Sequence, residues 1–136
     1  MDELDHRLLA ILRRNARESY TQMAQELATS EGTVRSRVKR LVDEGTIRQF
    51  TIRTAGSQVK ALVEVNVTAN VHTEDVARKI REWEGVDAVW EVTGEHDIIV
   101  VADCPTPAAL NGVIDKIRDI PGTSATRSRL ILKEHG

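Results

Sequence analysis

The chain has 136 residues, of which 40% are hydrophobic and 29% are charged, so we expect a soluble protein of one ordinary or two small domains. No apolar run approaches the roughly 20 residues that span a bilayer, and the acidic N-terminus argues against a signal peptide. A single cysteine, Cys104, excludes an internal disulfide, which favours a cytoplasmic protein.

The formal net charge of −2 argues against a nucleic-acid partner until its distribution is considered. Residues 1–54 carry ten Lys/Arg against eight Asp/Glu, whereas residues 55–136 carry nine against thirteen. Four of the ten N-terminal cations lie between Arg35 and Arg40. A local basic patch can attract phosphate even in a slightly acidic protein, so this stretch is a candidate DNA-binding element.

Two helices precede the basic stretch. Leucine and isoleucine recur at helical spacing from Leu4 to Leu12 and predict a first helix over residues 2–14. Ser19 and Gln22 have the spacing of a capping box and predict the start of a second helix. The short turn Ala28-Thr29 then leads into the third.

The stretch from Ser30 to Val42 predicts a third helix. Ser30 caps it, because a serine hydroxyl can accept from the free N–H groups of the first turn. Apolar residues line one side of this helix: Val34, Val38, Leu41 and Val42. Small and cationic residues line the other: Gly32, Ser36, Lys39 and Arg40. Gly45 ends the helix, since glycine adopts the left-handed C-terminal conformation without strain.

Three helices with a tight turn before a basic last helix are the pattern of a helix-turn-helix, which reads the major groove with the N-terminal part of that last helix. The candidate DNA-binding residues are Ser30, Thr33, Arg35, Ser36, Arg37, Lys39 and Arg40. We expect groove contacts from Thr33, Arg35, Ser36 and Lys39, with Arg37 and Arg40 on phosphate or bracing the helix. The alternative is a solvated basic face on an ordinary three-helix bundle.

A domain boundary is expected after the third helix. Residues 46–54 alternate enough to predict a strand, and Ala55-Gly56-Ser57 is a hinge of small residues. We therefore expect a winged-helix-like DNA-binding domain with a following strand over residues 1–54, and a second domain over residues 55–136.

The second half alternates strand and helix patterns. Strands are predicted over 61–68, 86–93, 97–103 and 123–133, and helices over 73–84 and from Thr106 to Pro121. The order is βαββαβ, which is the ferredoxin-like pattern, so the whole chain is of the α+β class. The sequence pattern of residues 80–88 recurs at residues 117–125, an internal echo in which each copy covers the end of a helix and the start of a strand. Such an echo supports two βαβ halves.

The loop Gly94-Glu95-His96-Asp97 joins two predicted central strands. An acid beside an imidazole could hold the two charges of a small zwitterion, and the alternative is a polar β-turn. The histidines have no ligand spacing, so no metal site is expected. Trp83 and Trp90 are expected in core or dimer packing rather than in ligand stacking, and Cys104 in the core.

Over nearly its whole length the chain resembles the Lrp/AsnC family of transcription regulators. The N-terminal residues that carry the resemblance are Leu4-Asp5, Ile11-Leu12, Arg17, Ser19-Tyr20, Ser30, Thr33-Val34, Arg37-Val38, Leu41, Glu44-Gly45 and Ile47. In the second half they are Thr93 to Asp97, Ile120-Pro121-Gly122 and Thr126-Arg127-Ser128. The order and spacing of these segments together make the resemblance specific.

This resemblance implies a regulator of amino-acid metabolism genes that binds double-stranded DNA. It implies that the C-terminal domains pair into homodimers, that dimers assemble further into an octamer, and that a small amino acid binds between dimers. The effector residues it implies are Gly94, Glu95, His96, Asp97, Thr126 and Ser128. No other cofactor and no membrane partner are expected.

Two alternatives remain open. Sirohaem decarboxylases have the same two-domain fold, so fold alone does not exclude an enzyme, although few histidines are present to support tetrapyrrole chemistry. The other is an architectural DNA binder without sequence preference, which would show steep salt dependence. A non-enzymatic regulator is the prediction.

Overall fold

The computed structural model describes residues 1–55 and 58–135, and the chain divides into two compact units, residues 1–54 and 55–136. Each unit has a hydrophobic cluster of its own. Two residues of the expected hinge, Gly56 and Ser57, lie outside the described residues.

The first unit contains three helices, α1 (Glu3–Arg14), α2 (Tyr20–Glu26) and α3 (Glu31–Asp43). Their apolar sides form one core, in which the buried residues are Leu8, Ile11, Met23, Ala24, Leu27, Val34, Val38 and Leu41. The helical spacing in the sequence predicts these side chains on the buried side, because residues that recur every three to four positions share one side of a helix. Val42, predicted on the same side of α3, is 42% exposed.

Side-chain caps start all three helices. Ser19 Oγ accepts from Gln22 N at 3.0 Å, and Ser30 Oγ accepts from Thr33 N at 3.1 Å, as the sequence predicts. At α1 the cap is reciprocal: Asp2 Oδ1 accepts from Asp5 N at 2.9 Å, and Asp5 Oδ2 accepts from Asp2 N at 3.2 Å. These bonds satisfy N–H groups that have no partner inside the helix.

The turn between α2 and α3 depends on an unusual residue. Ala28 has a φ of +52°, in the left-handed region that favours glycine. Thr29 N donates to Ala24 O at 3.0 Å, which closes the end of α2. The turn therefore needs a left-handed residue, which glycine adopts without strain. Ala28 adopts it at a cost, because its Cβ lies close to the following carbonyl oxygen.

Residues 46–54, predicted as a strand, form no ladder with any described residue. Ile47 packs on the helical core, and its N–H donates to Leu41 O at 2.9 Å, whereas Phe50 and Ile52 are exposed. The prediction is wrong for this chain because a strand requires a neighbouring strand, and the first unit offers none.

The second unit is a four-stranded antiparallel sheet with two helices. Its elements in chain order are β1 (Val59–Val67), α4 (Thr73–Arg81), β2 (Val86–Glu91), β3 (Ile98–Cys104), α5 (Pro107–Arg118) and β4 (Thr123–Leu130). The strands lie in the order β2-β3-β1-β4. The ferredoxin-like prediction is therefore confirmed, with β1 and β3 at the centre.

The two faces of this sheet differ in character. One packs against α4 and α5, and buries Val63 and Val65 of β1 opposite Val100 and Ile98 of β3. We call the other the open face, since no helix of the second unit packs on it. Its residues include Leu62, Glu64, Asn66, Trp90, Ile99, Val101, Asp103, Arg127 and Arg129. Strand alternation assigns every residue to one face or the other.

The internal echo corresponds to two equivalent helix-to-strand turns. Gly85 precedes β2 and Gly122 precedes β4, with φ of +85° and +97°. A Cβ at Gly122 would lie 2.6 Å from a Val71 methyl group, so this position needs glycine for space as well as for conformation. The echo in the sequence therefore reflects a repeated turn geometry.

Ala28→Gly is expected to raise the free energy of unfolding by about 0.5–1 kcal/mol. Relief of about 1–2 kcal/mol of left-handed strain exceeds the entropic cost of glycine, which is about 0.5–1 kcal/mol. Urea unfolding of the full chain, followed by far-UV circular dichroism, measures the change. The control Ala10→Gly, on the exposed side of α1, should lose about 1 kcal/mol. Equal losses for both variants would contradict the strain at Ala28.

Candidate DNA-reading helix and effector loop

α3 is held by its apolar side and presents a polar side to solvent. Val34 and Leu41 are fully buried in the core of the first unit. Arg35, Ser36 and Lys39 are exposed on the other side, as the sequence predicts. The helix can therefore present these three side chains without disturbing its own packing.

The hydroxyl groups at the start of α3 are partly used within the helix. Ser30 is the cap, and its Oγ lies 2.8 Å from Thr33 Oγ1. Ser36 Oγ donates to Thr33 O at 3.2 Å. Ser30 is thus placed to hold the helix terminus, while Thr33 and Ser36 lie along the first two turns with oxygens that can also accept from a ligand.

Two exposed cations of α3 form ion pairs that lie at the surface. Arg35 is 63% exposed in its side chain and lies 2.8 Å from Glu31, with its guanidinium 5.0 Å from the centre of the Tyr20 ring. Lys39 is 76% exposed and lies 2.6 Å from Asp43. Exposed pairs of this kind contribute little free energy, so both cations can exchange their partner for a phosphate or a base.

The other two arginines of α3 turn towards α1. Arg40 Nη2 donates to both carboxylate oxygens of Asp5 at 2.7 Å. Arg37 Nη1 donates to Asp5 at 3.0 Å and to both oxygens of Asp2 at 2.7 Å. The sequence left open whether Arg37 and Arg40 contact phosphate or brace the helix, and their bonds here join α3 to α1.

Asp5 is the centre of this network and is only 1% exposed. The hydrogen bond from Arg40 lowers the pKa of the Asp5 carboxyl far below its ordinary value of 3.8; burial opposes this shift, and the Asp2 N–H and Arg37 assist it. A buried carboxylate with donors on both oxygens stays charged at any physiological pH.

Sequence reasoning missed the role of Asp5, although two signals were present. Asp5 lies on the same side of α1 as Leu8 and Leu12, so a charged residue interrupts a buried stripe. It also stands three residues after Asp2, which is the spacing of a reciprocal cap. A charge in a buried stripe indicates an ionic partner elsewhere in the chain.

In the second unit, the loop between β2 and β3 is anchored at its base by Asp97. Asp97 Oδ2 accepts from Val67 N at 2.8 Å, and Asp97 N donates to Val65 O at 3.1 Å. Asp97 O in turn accepts from Val92 N at 3.0 Å, which closes the loop. The Asp97 carboxylate therefore organises the end of β1, and its bonded oxygen is not free for a ligand.

His96 and Glu95 of the same loop point to different surroundings. His96 Nδ1 lies 3.0 Å from Asn66 Oδ1 and Nε2 lies 2.7 Å from Glu64 Oε2, so this ring lies against the open face. Glu95 is exposed beside Gly94, whose φ is +110°. An open cavity of about 700 Å³ adjoins this loop; it is lined by Glu91, Val92, Thr93, Glu95, His96 and Ile99.

Thr126 and Ser128 lie on the opposite face from His96. Their register partners on β1 are Val65 and Val63, which face the helices. Arg118 Nε of α5 donates to Thr126 Oγ1 at 3.1 Å, which confirms that face. One chain therefore does not bring the loop residue His96 and the β4 residues Thr126 and Ser128 into one site.

The remaining candidates are packing residues. Cys104 is buried in the sheet core, where burial raises the pKa of its thiol, and Trp83 packs at the edge of that core with Lys116 Nζ 4.4 Å from its ring centre.

Within residues 1–55 and 58–135, no three His, Cys, Asp or Glu side chains are grouped to hold a metal ion. The same residues contain no helix that is long and apolar enough to cross a membrane.

Both units match family models. Residues 1–42 match the AsnC-type helix-turn-helix domain, and residues 60–135 match the Lrp/AsnC ligand binding domain. The chain belongs to the Lrp/AsnC family. Family and fold were predicted correctly from the order and spacing of short segments, and the match over residues 1–42 makes α3 the candidate DNA-reading helix of a helix-turn-helix domain.

Relatives of this Lrp/AsnC chain match it over nearly their full length. The HTH-type transcriptional regulator LysM of Saccharolobus solfataricus is 38% identical over 134 residues, which cover 98% of this chain and 94% of LysM. The HTH-type transcriptional regulator FL11 of Pyrococcus abyssi is 30% identical over 139 residues, which cover 99% and 91%. Its relatives are thus transcription regulators.

Solved structures agree with the fold. A transcriptional regulator of Neisseria meningitidis in complex with L-Met has a TM-score of 0.78 and 26% identity, covering 98% of this chain and 91% of its own. E. coli AsnC has a TM-score of 0.74 at 24% identity, covering 98% and 93%, which shows likeness of fold. The Neisseria structure shows that a regulator of this fold binds an amino acid.

Asp5→Asn is expected to remove an acid-sensitive contribution to folding. Because its pKa is lowered in the folded chain, the contribution is fully present above the ordinary value of 3.8 and is lost as the pH falls towards the folded pKa. Wild-type stability should decline between about pH 4 and pH 2, whereas Asp5→Asn should be less stable at pH 7 and show a shallower decline. Urea midpoints across this range measure both.

Asp43→Asn is the control for this prediction, because Asp43 forms an exposed pair with Lys39. Its acid decline should match that of the wild type. A decline of Asp5→Asn as steep as that of the wild type would show that another carboxylate dominates acid unfolding.

Proposed function

We propose that this chain is a sequence-specific DNA-binding transcription regulator of amino-acid metabolism genes, modulated by a small amino acid. The observation that carries the proposal is the polar side of α3, exposed within a matched helix-turn-helix domain. A folded basic helix with a buried opposite side presents its side chains in one fixed pattern, which base recognition requires. We propose a non-enzymatic role in the cytoplasm.

We assign the groove contacts to Thr33, Arg35, Ser36 and Lys39. Arginine suits bidentate contact with guanine, and the hydroxyls suit several bases. Arg37 and Arg40 act first as braces through Asp5, and Ser30 as the cap. Their exposed edges are left for phosphate contacts. In this assignment the bases are contacted by cations whose ion pairs are exposed, Arg35 and Lys39, and not by the arginines that bond to the buried Asp5.

We propose that the regulator is a homodimer that can assemble further, up to an octamer. The open face supports pairing, because Trp90 is 54% exposed there and Leu62, Ile99 and Val101 are only half-buried. A two-fold dimer presents two α3 helices to half-sites about 34–36 Å apart, one turn of DNA. Covering this face would bury aromatic and aliphatic groups, as in homodimer interfaces.

We propose that the amino-acid effector binds near Gly94 and Glu95, with Thr126 and Ser128 supplied by another subunit. The L-Met complex of the Neisseria relative supports an amino-acid ligand. Separation of the loop and the β4 residues on two faces supports a site completed between subunits. Effector binding would then favour one assembly over another, which is the coupling that regulation needs.

Arg35→Ala is expected to weaken specific DNA binding about 10- to 100-fold, the loss of one bidentate base contact. A duplex selected by the wild-type protein from a random pool serves as the probe in a gel-shift assay at fixed salt. The matched control is Arg78→Ala, since Arg78 is also exposed and also pairs with a glutamate four residues earlier. If both variants bind like the wild type, α3 is not the reading helix.

A thermal-shift screen against the twenty amino acids, L-methionine included, is expected to identify one or a few that raise the melting temperature. A ligand specific for the folded state stabilises it by about 2.7 kcal/mol at 100 times its dissociation constant. Glu95→Gln should reduce the shift, whereas Glu84→Gln, exposed after α4, should not. No shift with any amino acid would contradict the effector but not the DNA-binding proposal.

A further inference from the structure

Among the described residues, two carboxylates of the open face, Glu64 and Asp103, have a buried oxygen without a hydrogen bond, and Glu64 is the more deeply buried of the two. The Glu64 side chain is 11% exposed. Its Oε2 lies within ion-pair distance of His96 Nε2, at 2.7 Å, but this buried oxygen has no hydrogen bond from any described residue. Its Oε1 lies 3.6 Å from Arg129 Nη2, beyond hydrogen-bond distance. A desolvated carboxylate in this condition is costly unless a further donor reaches it.

The neighbours of Glu64 on the sheet are apolar on one side and cationic on the other. The register places Ile99 of β3 and Arg127 of β4 directly beside it. Arg127 is exposed, and no ion pair joins it to the part of the chain that the structure describes. Across this face, an acid on the central strand β1 therefore lies next to two arginines on the edge strand β4.

This arrangement is self-complementary under two-fold symmetry. In a two-fold dimer the same surface patch lies on both subunits, so each acid must meet a cation of the same patch on the partner. A second copy can set the arginines of its β4 against Glu64 while its own Glu64 meets those of the first. The surrounding Leu62, Val101 and Trp90 supply the apolar contact.

We propose that Glu64 is the residue by which the open face selects a second copy of this chain, its Oε2 accepting from the partner's Arg127 or Arg129. The proposal rests on the homodimer proposed above and adds the determinant of partner choice. A face without a cation at this place would leave the carboxylate buried and unpaired, and would be rejected. His96 supports this role by holding the side chain from the loop end.

Charge exchange tests the proposal with the full chain. Glu64→Arg makes the patch cationic, and the double variant Arg127→Glu/Arg129→Glu makes it acidic. Each alone is expected to dimerise about 100-fold more weakly than the wild type in sedimentation equilibrium, because like charges then face each other. An equimolar mixture is expected to restore dimers that contain one chain of each kind, detected by differently sized tags.

The control is Glu82→Arg. Glu82 is exposed at the C-terminal end of α4, on the helix-bearing side of the sheet, so its reversal should leave dimerisation unchanged. Circular dichroism confirms that each variant is folded. Glu64→Leu tests the same role without introducing a buried charge. This variant should dimerise at least as tightly as the wild type. It should also pair with the Arg127→Glu/Arg129→Glu chain, with which the wild type should not pair.

The outcomes distinguish failure of the homodimer from failure of the role of Glu64 alone. A wild-type chain that stays monomeric contradicts the homodimer and, with it, the role of Glu64. A dimeric wild type with an equally dimeric Glu64→Arg variant contradicts only the role of Glu64. Folded variants whose mixture stays monomeric do the same, and so does a Glu64→Leu chain that rejects the acidic double variant.

Discussion

The buried Asp5 carboxylate fixes the position of α3, the candidate DNA-reading helix. It caps the start of α1 through its bond from Asp2 N, and it holds Arg40 and Arg37 of α3. Apolar packing between helices allows small sliding and rotation, whereas directed bonds to both oxygens of one carboxylate do not. The network therefore adds orientation to the stability that the core already provides.

This constraint divides the cations of α3 into two sets. Arg37 and Arg40 bond to carboxylates of α1, whereas the ion pairs of Arg35 and Lys39 are exposed. Base recognition needs side chains that are free to change partner on a helix that is not free to move. Four cations in six residues resemble a uniform basic patch, yet their internal partners divide them into two that are bonded to a buried carboxylate and two whose ion pairs are exposed.

The second unit is organised by a comparable anchor. Asp97 ties the β2–β3 loop to the end of β1, and this leaves His96 against the open face and Glu95 in solvent. Thr126 is held on the opposite face by Arg118. Residues that a family pattern groups into one effector site are thus distributed over two faces. An effector that contacts both sets of residues would bind only where two subunits adjoin, and its binding would therefore depend on how the subunits are assembled.

The sequence by itself determined the helices of the first unit, the βαββαβ order of the second and the family. Amphipathic spacing, caps such as Ser30 and glycines such as Gly122 act within a few residues, so their effect is readable locally. The strand expected over residues 46–54 was wrong because alternation does not reveal whether a partner strand exists. Only the tertiary structure decided that Arg40 faces Asp5, that His96 and Thr126 lie on opposite faces, and that Oε2 of Glu64 is buried beside His96 without a hydrogen bond. These facts depend on pairs 30 or more residues apart in the chain and on strand register, which no local pattern encodes.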